Sequence, residues 1–195
     1  MAVEPESRLL TRAVNGETDA FRELFEAHYA AMFRFAYRLT GAVDAAEDIT
    51  QECFLRLMRS PGFDHERGSL RQYLYGIVRN LVRQRRQANG REVYWDDDEV
   101  EDDLKSAVAP CLNPMASAEL TAVVQAAISG LPPLQREAIV LFEFEELSLE
   151  ETAAVVGSDV GTIKSRLHRA REGLRRSLAP YRSLIRTPLR KGTTL

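Results

Sequence analysis

SLEETAAVVGSDVGTIKSRLHRAREGLRRSL, residues 148–178, reads as two helices and the turn between them. Ser148 is a favoured N-cap, and Glu151 stands three positions on. That is the spacing of a capping box, in which hydroxyl and carboxylate each satisfy the other residue's backbone N–H. A short helix over 149–156 ends at Gly157, GSDVG makes a turn, and a basic helix begins at Gly161 or Thr162. Short helix, glycine turn and basic helix form the helix-turn-helix pattern. In the basic helix Ile163, Leu167, Ala170, Leu174 and Leu178 recur at three-to-four spacing and face the core. Ser165, Arg169, Glu172 and Arg176 then point outward, Thr162 and His168 lie beside them, and Lys164, Arg166 and Arg171 flank the stripe. The run 161–171 carries five basic or potentially basic side chains and no acid. A helix of this kind suits the major groove, where Arg and Lys read guanine edges and hydroxyls bond bases or phosphates. The candidates for duplex contact are Thr162, Lys164, Ser165, Arg166, His168, Arg169 and Arg176; a solvated cationic helix is the alternative.

The charge of the whole chain runs the other way. Its 195 residues carry a formal net charge of −3. Residues 92–103, EVYWDDDEVEDD, hold eight acids and no base, so the remainder is net positive. Two basic patches lie on either side. Residues 79–91 hold five arginines and no acid, and residues 161–191 hold ten Lys or Arg against the single acid Glu172. Paired basic patches suit a nucleic-acid partner. The acidic run is too charged to pack and reads as a flexible linker. The longest apolar runs fall far short of a membrane span. The first residues, MAVEPESRLLTRAVNGE, lack the apolar block of a secretory signal. Cys53 and Cys111 do not suggest a disulfide framework, and Cys53 falls on an apolar helical stripe as a buried thiol. A cytoplasmic protein without stable membrane insertion is expected.

Every periodic stretch is helical. Phe21, Leu24, Phe25, His28, Met32, Phe35, Ala36 and Leu39 define a helix over 20–39 that Gly41 stops. His28 has no second ligand at helical spacing and reads as a core-edge histidine. Asp44, with Glu47, is expected to cap a helix over 45–59 that buries Ile49, Cys53 and Leu57. A third helix over 69–87 is expected to turn Leu70, Leu74, Ile77 and Leu81 inward. Its opposite side would carry Gln72, Arg79, Arg83 and Arg86, flanked by Tyr73, Tyr75 and Asn80. Arginines that follow a phosphate backbone beside aromatics that stack on bases make a single-strand surface. The alternative is a solvated arginine face with two core tyrosines. In the second half, 117–129 is a helix closed by Gly130, and Pro132-Pro133 starts another over 134–146 with Leu134, Ala138, Ile139 and Phe142 inward. No stretch alternates with period two, so the expected class is all-α: two small helical domains joined by a flexible acidic linker, the C-terminal one a helix-turn-helix.

Four motifs then fall in a familiar order. DAAEDITQECFLRL (44–57), LRQYLYGIVRNLVRQRRQ (70–87), LPPLQREAIVLFEFEELSLEETAAVVG (131–157) and VGTIKSRLHRARE (160–172) resemble, in sequence, the motifs of bacterial extracytoplasmic-function RNA polymerase sigma factors. The resemblance implies an N-terminal tail over 1–18, a domain 2 over 19–90, a linker over 91–115, a domain 4 over 116–181 and a basic tail over 182–195. It implies docking of Asp48, Gln51 and Glu52 on the clamp helices of the largest subunit of RNA polymerase core. It implies capture of the opened −10 strand of promoter DNA by the loop at 63–69 and the helix after it. The residues there are Phe63, Asp64, Gln72, Tyr73, Tyr75, Arg79, Asn80, Arg83 and Arg86. The helix at 161–176 would read the −35 element, and an anti-sigma protein would be a further partner. The family commonly has Trp where Tyr73 stands and Asp where Arg83 or Gln84 stands. The rival readings are a stand-alone helix-turn-helix regulator, which leaves 20–90 unused, and a sigma-mimicking adaptor that binds an anti-sigma protein without touching DNA. No nucleophile elbow, phosphate loop, metal-ligand spacing or paired carboxylates occur, so no catalytic residue, metal or cofactor is expected.

Overall fold

The computed structural model describes residues 5–59, 62–88, 90 and 117–181. The expected linker and the basic C-terminal tail therefore lie outside the described residues, as does Cys111. Eight α-helices are described, with no strand among these residues, and they fall into two units.

The N-terminal unit packs α1 (Glu6–Val14), α2 (Thr18–Thr40), α3 (Val43–Arg59) and α4 (Leu70–Ala88). The expected N-terminal tail is instead largely helical: α1 buries Leu9, Leu10 and Ala13. Its Glu6 carboxylate lies 3.2 Å from Nε2 of the buried His28 on α2, a polar contact across the two helices. Asp44 sits in the first turn of α3 rather than at its cap, because the helix begins at Val43, two residues earlier than expected. Cys53 is fully buried, as expected, and burial pushes its thiol pKa up to about 12, the nearby Arg56 opposing the shift only partly. It is therefore unreactive at neutral pH.

The rotation of α4 corrects the sequence reading. Its buried residues are Leu70, Leu74, Tyr75, Val78, Arg79, Leu81 and Val82, and Ile77 stands half out. Tyr75 has 0% exposure and meets Phe35 edge to face at 5.0 Å between ring centroids. Its hydroxyl accepts a hydrogen bond from Arg71 Nε at 3.1 Å, which satisfies the one polar atom it brings inside.

The C-terminal unit contains α5 (Ser117–Ser129), α6 (Pro133–Ile139), α7 (Leu149–Val156) and α8 (Val160–Ser177). Pro133 at the first turn of α6 costs no hydrogen bond there. The expected helix over 134–146 is interrupted: a wide π turn over Val140–Phe144 follows α6, closed by Glu145 N–H to Val140 O at 3.0 Å. Its backbone then turns sharply at Glu146, with φ 58°. Arg136 Nη2 donates to Leu131 O at 2.8 Å and also to Ser129 O, tying the end of α5 to α6. The capping box forms as read: Ser148 N–H donates to Glu151 Oε2 at 2.7 Å, and Glu151 N–H donates to Ser148 Oγ at 3.1 Å. Gly157 takes φ 72°, the left-handed conformation that the turn between α7 and α8 demands. Gly173 lets α8 lie against Leu131, whose Cδ2 would stand 2.9 Å from an added Cβ.

Two outcomes follow. Tyr75→Ala should destabilise the protein by about 3–5 kcal/mol in urea titration. Tyr73→Ala, on the half-exposed side of the same helix, should cost about 1 kcal/mol. His28 titrates below its ordinary value of 6.5, chiefly because burial disfavours its cation, with Glu6 opposing and Arg71 reinforcing. The unfolded chain then binds the extra proton first, so stability from neutral His28 is complete above pH 6.5 and declines as pH falls below it. The decline should disappear from the urea midpoint-versus-pH profile of His28→Gln.

Candidate nucleic-acid interface

Asp159 positions the outer face of α8. It is the N-cap, and its carboxylate accepts Thr162 N–H at 2.9 Å and Thr162 Oγ1–H at 2.6 Å. The hydroxyl first and then the amide hold the Asp159 pKa below the usual carboxylate value. The structure thus commits the Thr162 hydroxyl to the cap rather than leaving it open toward a base. Ile163, Leu167, Ala170 and Leu174 face the core, as their spacing requires. Lys164, Ser165, His168, Arg169, Arg175 and Arg176 are exposed and fall along one side of the helix. Arg166 departs from the expectation. It is 8% exposed, so the structure places it in the domain rather than on the groove-facing surface. Helical geometry explains the difference, since 166 lies three residues after 163 and four before 170, within the apolar stripe. Arg171 is held inward too. Its Nη2 and Nε donate to Glu143 Oε1 at 2.7 and 3.1 Å, and its guanidinium lies over the Phe142 ring. The π turn supplies both partners.

In the N-terminal unit, Asp48 and Gln51 are exposed and Glu52 is half-exposed on the outer side of α3. Leu55, with 48% exposure, stands among them, a residue the sequence reading passed over. It lies three, four and seven positions after Glu52, Gln51 and Asp48, so the same helical spacing could have found it. Two of these polar groups are already paired. Asp48 Oδ2 meets Arg85 Nη1 at 3.0 Å, and Glu52 Oε1 meets Arg56 Nε at 3.0 Å.

The expected strand-binding residues separate into four groups. Tyr75 and Arg79 are buried, at 0% and 8% exposure, so neither offers a surface to DNA. They lie on the core side because α4 turns Tyr75 onto Phe35. Gln72 and Asp64 serve local structure, and Arg86 ties α4 to the end of α2. Gln72 Oε1 accepts Ser69 N–H at 2.9 Å, Asp64 Oδ1 accepts Glu66 N–H at 3.0 Å, and Arg86 Nη2 donates to Leu39 O at 3.0 Å. Arg83 is half-buried. Tyr73, Asn80 and Phe63 remain at the surface, and the Phe63 and Tyr73 rings lie 5.8 Å apart. Tyr73, Ile77 and Asn80 line a groove with Arg56 and Arg59 of α3. These last two arginines and Ile77 were missed because the sequence shows one helix face at a time, whereas the groove is made by two helices. The groove brings together an aromatic ring, a side-chain amide and two guanidinium groups. Among the described residues no group of three His, Cys, Asp or Glu side chains could hold a metal ion.

Comparison with known proteins agrees with this division. Residues 24–92 match the family model for sigma-70 region 2, and residues 121–174 match that for sigma-70 region 4. The chain is 34% identical over 171 residues to the ECF RNA polymerase sigma factor SigW of Bacillus subtilis, covering 84% of this chain and 91% of that protein. It is 37% identical over 164 residues to SigE of Mycolicibacterium smegmatis, covering 83% of this chain and 62% of that longer protein. The sigma factor RpoE of Bartonella quintana, solved in complex with the anti-sigma factor NepR, matches with a TM-score of 0.63 and 29% identity. That match covers 82% of this chain and 96% of the other. The chain belongs to the sigma-70 family, within the extracytoplasmic-function RNA polymerase sigma factors.

Proposed function

We propose that this sigma factor docks on RNA polymerase core through α3 and directs initiation by holding promoter DNA at two places. The observation that carries the reading is that α3 and α4 set an acidic face beside an arginine–aromatic groove, with Arg56 shared between the two. Asp48, Gln51, Glu52 and Leu55 form the docking face, an acidic rim around an apolar contact that suits the basic clamp helices of the largest subunit. The groove of Arg56, Arg59, Tyr73, Ile77 and Asn80 takes an unstacked base of the opened −10 strand, with Phe63 beside it. A base out of the stack exposes both its ring face to Tyr73 and its polar edge to Asn80. The exposed Lys164, Ser165, His168, Arg169 and Arg176 of α8 enter the major groove of the −35 element. Residues 19–90 and 116–181 serve as the two promoter-binding domains, and the acidic segment 91–115 spans between them.

The RpoE relative was solved with an anti-sigma factor. An anti-sigma partner that covers the docking face or the α8 face would hold this protein inactive. No described helix is long and apolar enough to cross a membrane, consistent with action in the bacterial cytoplasm.

The test is transcription in vitro with core polymerase, on duplexes selected from a randomised pool by core carrying the native chain. Native chain should confer initiation at a fixed start site. Arg169→Ala should weaken duplex binding by about tenfold, the low end of one base contact. Tyr73→Ala should lower open-complex formation by about tenfold, the loss of one stacked base. Absence of site-specific initiation with native chain would contradict the reading.

A further inference from the structure

Arg56 belongs to both working faces of the N-terminal unit. Its Nε donates to Glu52 Oε1 at 3.0 Å on the docking face, and its Nη2 donates to Gln84 Oε1 at 3.0 Å on α4. The same side chain lines the groove with Arg59, Tyr73, Ile77 and Asn80. A guanidinium places five N–H donors in one rigid plane. While its Nε and Nη2 are held by Glu52 and Gln84, its side-on Nε–Nη2 fork is occupied, and only the end-on Nη1–Nη2 edge is left for a phosphate or a base edge. The carboxylate beside it also cancels the local charge that would attract a strand.

The restraint is weak enough to exchange. Glu52 and Arg56 are one helical turn apart, with side chains 38% and 40% exposed. Solvent-exposed pairs of this kind are stabilised only slightly. Asp44, Glu47, Asp48 and Gln51 occupy the exposed side of α3 with Glu52 at its margin, so a cationic partner arriving there meets Glu52 as one of its acids.

We propose that Arg56 is a coupling residue: a cationic surface that takes Glu52 on the docking face releases Arg56 to the strand in the groove. The proposal rests on the functional reading above and adds a mechanism to it. It makes polymerase docking and strand capture mutually reinforcing, because coupling between two binding events is reciprocal by thermodynamic necessity. A strand that draws Arg56 into the groove leaves Glu52 free for the polymerase. The arrangement also keeps the free protein a poor single-strand binder.

The test uses the full chain without polymerase and a fluorescent single-stranded oligodeoxynucleotide of mixed sequence, read by anisotropy from low to moderate salt. Glu52→Gln mimics removal of the carboxylate and should bind about threefold tighter than native chain, within the range set by exposed ion pairs. Its plot of log affinity against log salt should be steeper by roughly 0.7, the signature of one added phosphate contact on a single strand. Glu47→Gln makes the same charge change on the same helix, at an acid with no ion pair among the described residues. It should leave that slope unchanged. Adding Arg56→Ala to Glu52→Gln should abolish the gain. The proposal is overturned by no gain in Glu52→Gln, by an equal gain in Glu47→Gln, by a gain that survives Arg56→Ala, or by no binding of any variant at low salt. Those results leave association of native chain with core polymerase intact; loss of that association would instead contradict the functional reading.

Discussion

The edge-to-face contact of Tyr75 with Phe35 sets the rotation of α4, and the working surface of the N-terminal unit depends on it. Both rings are fully buried. An aromatic pair of this geometry contributes about 0.5–1.5 kcal/mol beyond the area it buries. With Tyr75 turned inward, Val78 and Val82 follow at helical spacing, and Tyr73, Ile77 and Asn80 come round to meet α3. A rotation of α4 that exposed Tyr75 would bury Tyr73 and close the groove. One helix thus places its core side and its groove side by a single packing choice.

The C-terminal unit fixes α8 by polar means. The Asp159 cap sets where α8 begins, and the Glu143–Arg171 pair holds it against the π turn. Glu137, Glu145, Arg136 and Arg166 are all buried, and none is without a partner. Buried charges cost free energy unless they are paired and hydrogen-bonded, so removing one partner of such a group should destabilise the unit. The packing leaves Lys164, Ser165, His168 and Arg169 on the outer side near the start of α8, where a helix entering a groove makes base contacts.

What the sequence made legible was mostly local. The Ser148–Glu151 box, the helix end near Gly157 and the stripe of Ile163, Leu167, Ala170 and Leu174 act within a few residues and formed as read, whereas Leu178, expected in the stripe, is the half-exposed C-cap of α8. The errors came from long side chains and from distance along the chain. Arg79, expected on the outer side of α4, is buried, and so are Tyr75 and Arg166, expected to flank the arginine row and the apolar stripe; the alternative of core tyrosines holds for Tyr75, and a buried Tyr or Arg needs only a partner for its tip. The helix over Glu6–Val14 was missed although Leu9, Leu10 and Ala13 have helical spacing. Asp48 with Arg85 and Arg56 with Gln84 lie 37 and 28 residues apart, so only the packing of α3 on α4 could show them. The same holds for the groove.

The central claim is that the acidic side of α3 is the face by which this protein meets RNA polymerase. Gel filtration of the chain mixed with bacterial core polymerase tests it, with an Asp48→Arg, Glu52→Arg double variant run alongside. The account requires native chain to co-elute with core and the variant to elute alone while keeping native helical circular dichroism. Equal co-elution of both would place the docking surface elsewhere, and failure of native chain to co-elute would contradict the account.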